Sequence, residues 1–458
     1  MFKTAVALTV LCACITPSVL VQSQVVAIPF ADVRPVVQEL KTDLPAEFAG
    51  VDVDSIERIW PRWRSRRAAA MALRLAQGDE DSLVNFLLFG TSFTRQPRAL
   101  NDSSKLGGRD RGAAIVRARI DDLVAAVALP GANERLAFAR DVVRQHGVDP
   151  DAPADTRRYL VDVMRRVFGE LDRYVREIDA AKSAADADAE QTARATLFRS
   201  RGLSTDTSIR ADYALDGALK TIKAQGTLSP QAISRVAVVG PGLDFTDKAE
   251  GFDFYPQQTT QPFSVVESLR RTDLAREPFG AVHVTTFDLN PRVNEHLERA
   301  RQHARAGRPY LIVLPRGADV RWQSGLLQFW HTFGAEIGGP ARAPRAPAGS
   351  PLQVRAVAVR PDVVRAIEPR TLDVVVERPA GERFDLVVAT NVLVYYPRFE
   401  QSLALANIAA MLVPGGLLVT NTAVPELKAI PMRRVGVLTI RYSDAPDDSD
   451  QIRWYRRE

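Results

Sequence analysis

Cysteine is nearly absent: the 458-residue chain has two, Cys12 and Cys14, both within its first fifteen positions. A remainder without cysteine has no disulfide framework and no thiolate metal site. Histidine is also scarce. The five residues His146, His283, His296, His303 and His331 show no metal-ligand spacing, which leaves ordinary surface or core roles for them. Lysine is rare as well. Of 60 basic residues only eight are lysine, against 55 acidic ones, for a net charge of +5. The arginines alternate with acids along the whole chain. That pattern is a solvated, salt-bridged surface, and it argues against nucleic acid as a partner. Beyond the N-terminus no stretch approaches the ~20 apolar residues a bilayer span requires. There is no Gly-x-Ser-x-Gly elbow, no His-Glu-x-x-His and no phosphate loop ending in Lys-Ser/Thr.

Hydrophobic residues make up 46% and charged residues 25%, the balance of a globular protein long enough for two or three domains. Lys3, the apolar run Ala5–Val21 and the small-residue site Val21-Gln22-Ser23 read as a secretory signal peptide over residues 1–23. The expected location is then the periplasm or envelope, with the membrane touched through the N-terminal segment alone. Leu11-Cys12-Ala13-Cys14 is a weak lipobox that would make Cys14 a lipid-anchored terminus. An uncleaved anchor, a buried helix and a misplaced start with a cytoplasmic chain stay open.

Residues 50–225 read as an α-helical domain. Its segments run from Ile56 to about Gly78, over Leu83–Phe89, over Ala113–Leu129 until Pro130-Gly131, from Asn133 to about His146, and from Asp155 onward. In the last, Leu160, Val163, Met164, Val167, Leu171, Tyr174, Val175 and Ile178 step by three and four. A segment capped by Ser208 runs to Ala224. From residue 232 the pattern changes. Short β-branched runs alternate with helices: Val236–Val239, Val282–Phe287, Leu372–Glu377, Leu386–Ala389 and Leu417–Thr420. These βαβ units imply a parallel sheet. Val435–Tyr442 and Ile452–Arg456 close the chain as an antiparallel hairpin. The Pro/Ala-rich residues 340–351 read as an exposed loop. Trp322, Phe329, Trp330 and Phe333 sit at helical spacing and read as core.

Four motifs carry chemistry. The first, Val236-Ala-Val-Val-Gly240-Pro-Gly242-Leu-Asp244-Phe245, is a strand followed by a turn that lets a ligand approach backbone; a tight strand-to-helix turn alone would look the same. In the second, Val284-Thr-Thr-Phe-Asp288-Leu289-Asn-Pro291, Asn290 and Pro291 already supply an N-cap and an N1 proline. Asp288 is thereby free to accept hydrogen bonds from ribose hydroxyls. Gly242 and Asp288 are 46 positions apart, against ~20 in a dinucleotide fingerprint. The excess is Thr246–Pro262, either a loop over the pocket or surface ornament. The third motif is Phe384-Asp385-Leu-Val-Val-Ala-Thr390-Asn391-Val-Leu-Val-Tyr395-Tyr396, with Asp385 read as structural. The fourth is Met411-Leu-Val-Pro414-Gly415-Gly416-Leu-Leu-Val-Thr-Asn421.

Taken in order over residues 232–442, the four motifs resemble class I S-adenosylmethionine-dependent methyltransferases. Asn391–Tyr396 resembles locally the chemotaxis-receptor glutamate methyltransferases. The resemblance implies a Rossmann-like α/β sheet with a C-terminal antiparallel hairpin, here preceded by an all-α domain, and S-adenosylmethionine as cofactor. Carried over by position, Gly240 and Gly242 would line the methionine part of the cofactor. Asp288 would bind its ribose and Leu289 would flank the adenine. Asn391 would face the methyl donor as a catalytic and cofactor-binding residue, with Tyr395 catalytic at the acceptor's mouth beside Tyr396. No metal is implied, and the acceptor, protein or small molecule, is unspecified. Two departures stand out: Val238 replaces the usual acid before the first glycine, and Asp244 replaces the third glycine. Asp244 or Asp247 could supply the missing carboxylate. A second reading is an exported, catalytically degenerate binding or scaffold module of the same fold. A dinucleotide-dependent oxidoreductase is weaker, because the third glycine is missing and Pro-Gly-Gly is present.

Overall fold

Residues 25–458 are described by a computed structural model, except 42, 99–108, 184–201, 204–206, 246–252, 277–281, 318–320, 348–351 and 446–447 and the side chains of 109, 171, 174, 175, 177, 178 and 181–183. The signal-peptide reading with Cys12 and Cys14, the residue Asp247, and the side chains of Leu171, Tyr174, Val175 and Ile178 lie outside the described residues.

Strands buried on both faces form the frame. β2 (Arg235–Val239), β3 (His283–Asp288), β7 (Ile367–Thr371), β9 (Phe384–Ala389), β10 (Leu412–Thr420), β11 (Met432–Arg441) and β12 (Ser449–Arg457) make one seven-stranded sheet in the order β7-β3-β2-β9-β10-β12-β11. β12 runs antiparallel to both β10 and β11, and every other pairing is parallel. The chain winds outward from β2 to β3 and β7, then returns to start the other half at β9. The C-terminal ends of β2 and β9 therefore form a topological switch point, where such sheets hold ligands. The hairpin expected at the C-terminus is β11–β12; β1 (Val25–Ala27) and β8 (Glu377–Pro379) pair as a separate two-stranded sheet, and the short helix α10 (Pro361–Arg365) leads into β7.

Period two sorts the two faces. Val236, Val238, Leu386, Val388, Leu417 and Val419 pack on one side with helices α6 (Ile209–Ala224), α7 (Gln261–Arg271), α8 (Pro291–Arg305) and α9 (Ser324–Thr332). Ala237, Val239, Val387, Ala389 and Leu418 pack on the other, against α1 (Phe30–Leu40), the first half of α2 (Val53–Phe89) and α11 (Arg398–Met411). The second half of α2 belongs to a separate helical core with α3 (Arg109–Ala128), α4 (Glu134–Gln145) and α5 (Pro153–Ser183). The helices of residues 50–225 thus serve three cores. Phe329, Trp330 and Phe333 are buried in the first, as their spacing implies.

Four local expectations are revised. α2 continues through Gly78, where the break was expected. The glycine is needed for a different reason: a Cβ there would lie 1.9 Å from the carbonyl oxygen of Leu203, which packs on the helix. α1 was not foreseen. The third strand is Ile367–Thr371 instead of Leu372–Glu377. Asp373 folds the β-branched run into a turn by accepting from the amide of Val375 at 3.1 Å and pairing with Arg67. Finally, β4 (Tyr310–Gly317), β5 (Gly338–Pro340) and β6 (Leu352–Val359) form a second, antiparallel sheet inserted between α8 and β7. Among the described residues no helix is long and apolar enough to cross a membrane.

Candidate functional site

The site grows from the ends of β2, β3 and β9. After β2 the chain turns at Gly240 and Gly242, with φ of +65° and +73°, a region costly for residues with a Cβ. The Gly240 amide donates to Phe287 O on β3 at 2.8 Å. A Cβ on Gly240 would lie 2.5 Å from Cγ2 of Val392, which follows β9. The turn is therefore clamped between the two neighbouring strands.

Asp288 ends β3. Its carboxylate accepts from the Asn290 amide at 2.8 Å and from the amides of Leu289 and Gly242. Carboxylate and glycine turn thus meet at one edge of the sheet. Burial outweighs these amides and pushes the Asp288 carboxyl up to about 6. Gly240, Asp288 and Leu289 nevertheless keep part of their surface in solvent, so the corner is reachable. Asn290 caps α8 by accepting from the Arg292 amide at 3.0 Å. Asn391, at the end of β9, is exposed and left-handed with φ +59°. Its amide donates to Asn421 Oδ1 at 2.8 Å, and Asn421 Nδ2 donates to Asn391 Oδ1 at 2.6 Å. These two asparagines end adjacent strands, and each fixes the other. A non-glycine residue in this conformation is found mostly where the surroundings over-determine it.

Tyr395 closes a 3₁₀ turn, Leu393–Tyr395. Its carbonyl accepts from Arg74 of α2 at 3.1 Å, and the Arg74 guanidinium stands 5.8 Å from its ring. Tyr396 is a core residue, buried beside Arg67, which also pairs with Asp373 and Glu400. The second half of α2 forms a wall beside the corner. Asp79 accepts from Asn290 Nδ2 at 3.3 Å and pairs with Arg292 at 3.4 Å. Arg74 and Asp79 were not singled out from sequence, nor was Gln261, whose Nε2 donates to Thr390 Oγ1 at 2.5 Å at the start of α7, and Asn421 closed the fourth motif without a role. Only Asn421, one residue past the Leu-Leu-Val-Thr run and so placed like Asn391, carried a legible signal.

Asp244 is set apart from this group. Its Oδ2 accepts from Tyr255 Oη at 2.8 Å and Gln258 Nε2 at 3.2 Å, and its amide donates to Gln258 O at 2.6 Å. Gln258 in turn bonds both the amide and carbonyl of Val313 on β4. The described part of the Thr246–Pro262 insertion therefore lies between the glycine turn and the second sheet. Thr259 adds a bond to Pro241 O at 3.3 Å. A cavity of about 30 Å³ adjoins Asp244, Tyr255, Gln258 and Thr260; it has room for a water or two and no nucleoside. Phe245 is buried against Phe86 and Phe138 at 5.6 and 4.4 Å. Asp385 is structural as read, accepting from the amides of Ser234 and Arg235. Among the described residues no group of three or more His, Cys, Asp or Glu side chains is placed to hold a metal ion.

No protein-family model and no curated protein matches the chain. Solved structures similar to it include the N-methyltransferase NodS from Bradyrhizobium japonicum WM9, at 14% identity over 54% of this chain and 95% of that one, with a TM-score of 0.27. Magnesium protoporphyrin IX methyltransferase (ChlM) from Synechocystis PCC 6803 is 10% identical over 62% and 97%, with a TM-score of 0.27. The CurJ carbon methyltransferase is 12% identical over 88% and 98%, with a TM-score of 0.26. All three are named methyltransferases, ChlM with bound SAM, and none is named a chemotaxis-receptor enzyme. Likeness at this level adds nothing to what the strand order already establishes.

Proposed function

We propose that the chain binds S-adenosylmethionine at the switch point and transfers its methyl group to an acceptor. One observation carries this reading: the Asp288 carboxylate and the Gly242 amide meet where the winding reverses, beside surface still open to solvent. The residues fit the nucleoside half of the cofactor. Asp288 would accept from both ribose hydroxyls, and Leu289 would flank the adenine. Bound there, the cofactor would supply an already activated methyl group with a neutral leaving group. The chain's own residues then need only align the partners and keep them dry. Asn391, held by Asn421, would face the methyl donor, and Tyr395 would border the acceptor. Fractionation and N-terminal sequencing bear on the same choice: an intact cytosolic chain supports the enzyme, whereas a mature chain starting near Gln24 outside the cytoplasm supports the second reading below.

A second reading has its own support. Val238 stands where an acid for the methionine ammonium would be, Asp244 is tied to Tyr255 and Gln258, and Val392 covers Gly240. The methionine half therefore has no dedicated carboxylate among the described residues of the turn. This favours a degenerate, nucleoside-holding module. Calorimetric titration of the full chain with S-adenosylhomocysteine and, separately, with adenosine distinguishes the two. Homocysteine-dependent affinity, at least about tenfold tighter than adenosine, supports the enzyme. Equal affinities support the module, and no binding of either removes both.

A further inference from the structure

The C-terminal hairpin presents an arginine whose charge no described acid answers. On β11 and β12, Val437 is paired directly with Arg453 and Thr439 with Gln451, so these side chains share one face. Val437 is 52% exposed and Val435 40%, a small apolar strip on the sheet edge. Arg453 is half-buried. Its guanidinium donates to the carbonyls of Asn421 and Gln451 and to Gln451 Oε1, all neutral acceptors. Burial pulls its pKa down, opposed by Tyr455 and reinforced by the cation Arg434. A half-buried guanidinium whose described acceptors are all neutral has charge to offer an anion, and charge-assisted bonds to carboxylate or phosphate are the strong ones. Its contact with Asn421 O and its pairing with Thr420 on β10 put it beside the Asn391–Asn421 pair at the strand ends.

We propose that the acceptor is a soluble single-chain amphipathic anion, held by its anionic end on Arg453 with its apolar body along Val437 and Val435. This deepens the methyltransferase reading by naming an acceptor class, and it rests on that reading only for the word acceptor. The test is calorimetric titration of the full chain with decanoate, with decyltrimethylammonium as the charge-reversed control and S-adenosylhomocysteine titrated separately. Decanoate should bind saturably and the cation should not. Arg453→Gln and Val437→Asp should each weaken decanoate by about tenfold or more, and Arg453→Lys should restore most of the loss. Because Arg453 also anchors Asn421, Val437→Asp carries the test alone if Arg453→Gln does not fold. Unchanged binding in both variants, or no saturable binding by the wild type, overturns the proposal. So does co-sedimentation with anionic vesicles in the absence of decanoate binding, which would make this face a membrane surface. Decanoate binding without S-adenosylhomocysteine binding leaves the anion site standing and removes the methyl donor; the reverse removes only the anion site.

Discussion

Asp288 and Asp244 flank the same glycine turn, and the chain uses them in opposite ways. Asp288 has its oxygens among backbone amides at the switch point, with part of its surface in water. Asp244 is buried and committed to Tyr255 and Gln258, which fasten the insertion to the second sheet. A carboxylate beside a glycine turn is thus not a ligand group by position. Both carboxylates are already hydrogen-bonded, and what separates them is that Asp288 keeps part of its surface in solvent while Asp244 is buried.

The largest expected effect falls on Asp288. Two hydrogen bonds from ribose hydroxyls to a carboxylate, at about 1.5–3 kcal/mol each, mean that Asp288→Ala should lower nucleoside affinity by at least about 100-fold. The variant should remain folded by circular dichroism. Asp244→Ala should do the reverse, leaving affinity within about threefold while lowering the denaturant midpoint, because two buried donors lose their acceptor.

The next effect is on pH dependence. The Asp288 carboxyl is raised to about 6 in the folded chain, and only its ionised form accepts from both hydroxyls. Nucleoside affinity should therefore rise up to about tenfold per pH unit towards 6 and level off above it. Asp288→Asn should flatten the profile. Stability runs the other way. A carboxyl raised on folding binds more protons in the native state, so this group's contribution falls as pH rises from about 4 to about 6 and is constant above. Urea midpoints of wild type and Asp288→Asn across that window check the sign.

Smaller effects test the clamp. Gly240→Ala adds a Cβ at φ +65° and 2.5 Å from Val392 Cγ2, which should cost about 1–3 kcal/mol. Adding Val392→Ala should relieve the clash and not the backbone strain, so a double-mutant cycle should show positive coupling. Tyr255→Phe should cost about 1 kcal/mol and leave nucleoside binding unmoved.

The winding of the sheet was legible because its central strands are apolar runs closed by turn chemistry: Val236–Val239 before Gly240, and Leu386–Ala389 before Asn391. The third strand was illegible for a physical reason. Ile367-Glu-Pro-Arg-Thr has a proline and two charges, which an edge strand tolerates and a central one does not, while the more strand-like Leu372–Glu377 is bent by Asp373. Gly78 looked like a helix end because a glycine in mid-helix is unfavourable, and its partner Leu203 is 125 positions away in sequence. The corner itself was half legible. Gly240, Asp288, Leu289 and Asn391 follow strand ends and come together. Asp244 also follows one, but its fate depends on Tyr255, Gln258 and Val313, contacts that no local pattern announces. Arg74 and Asp79 reach the site from a helix far upstream for the same reason.

One experiment tests the central claim most directly: S-adenosylhomocysteine titrated into wild type, Asp288→Ala and Asp244→Ala side by side. Binding that survives in the Asp244 variant and is lost in the Asp288 variant is the predicted result. Binding that persists without the Asp288 carboxylate, or that vanishes only without Asp244, would contradict it.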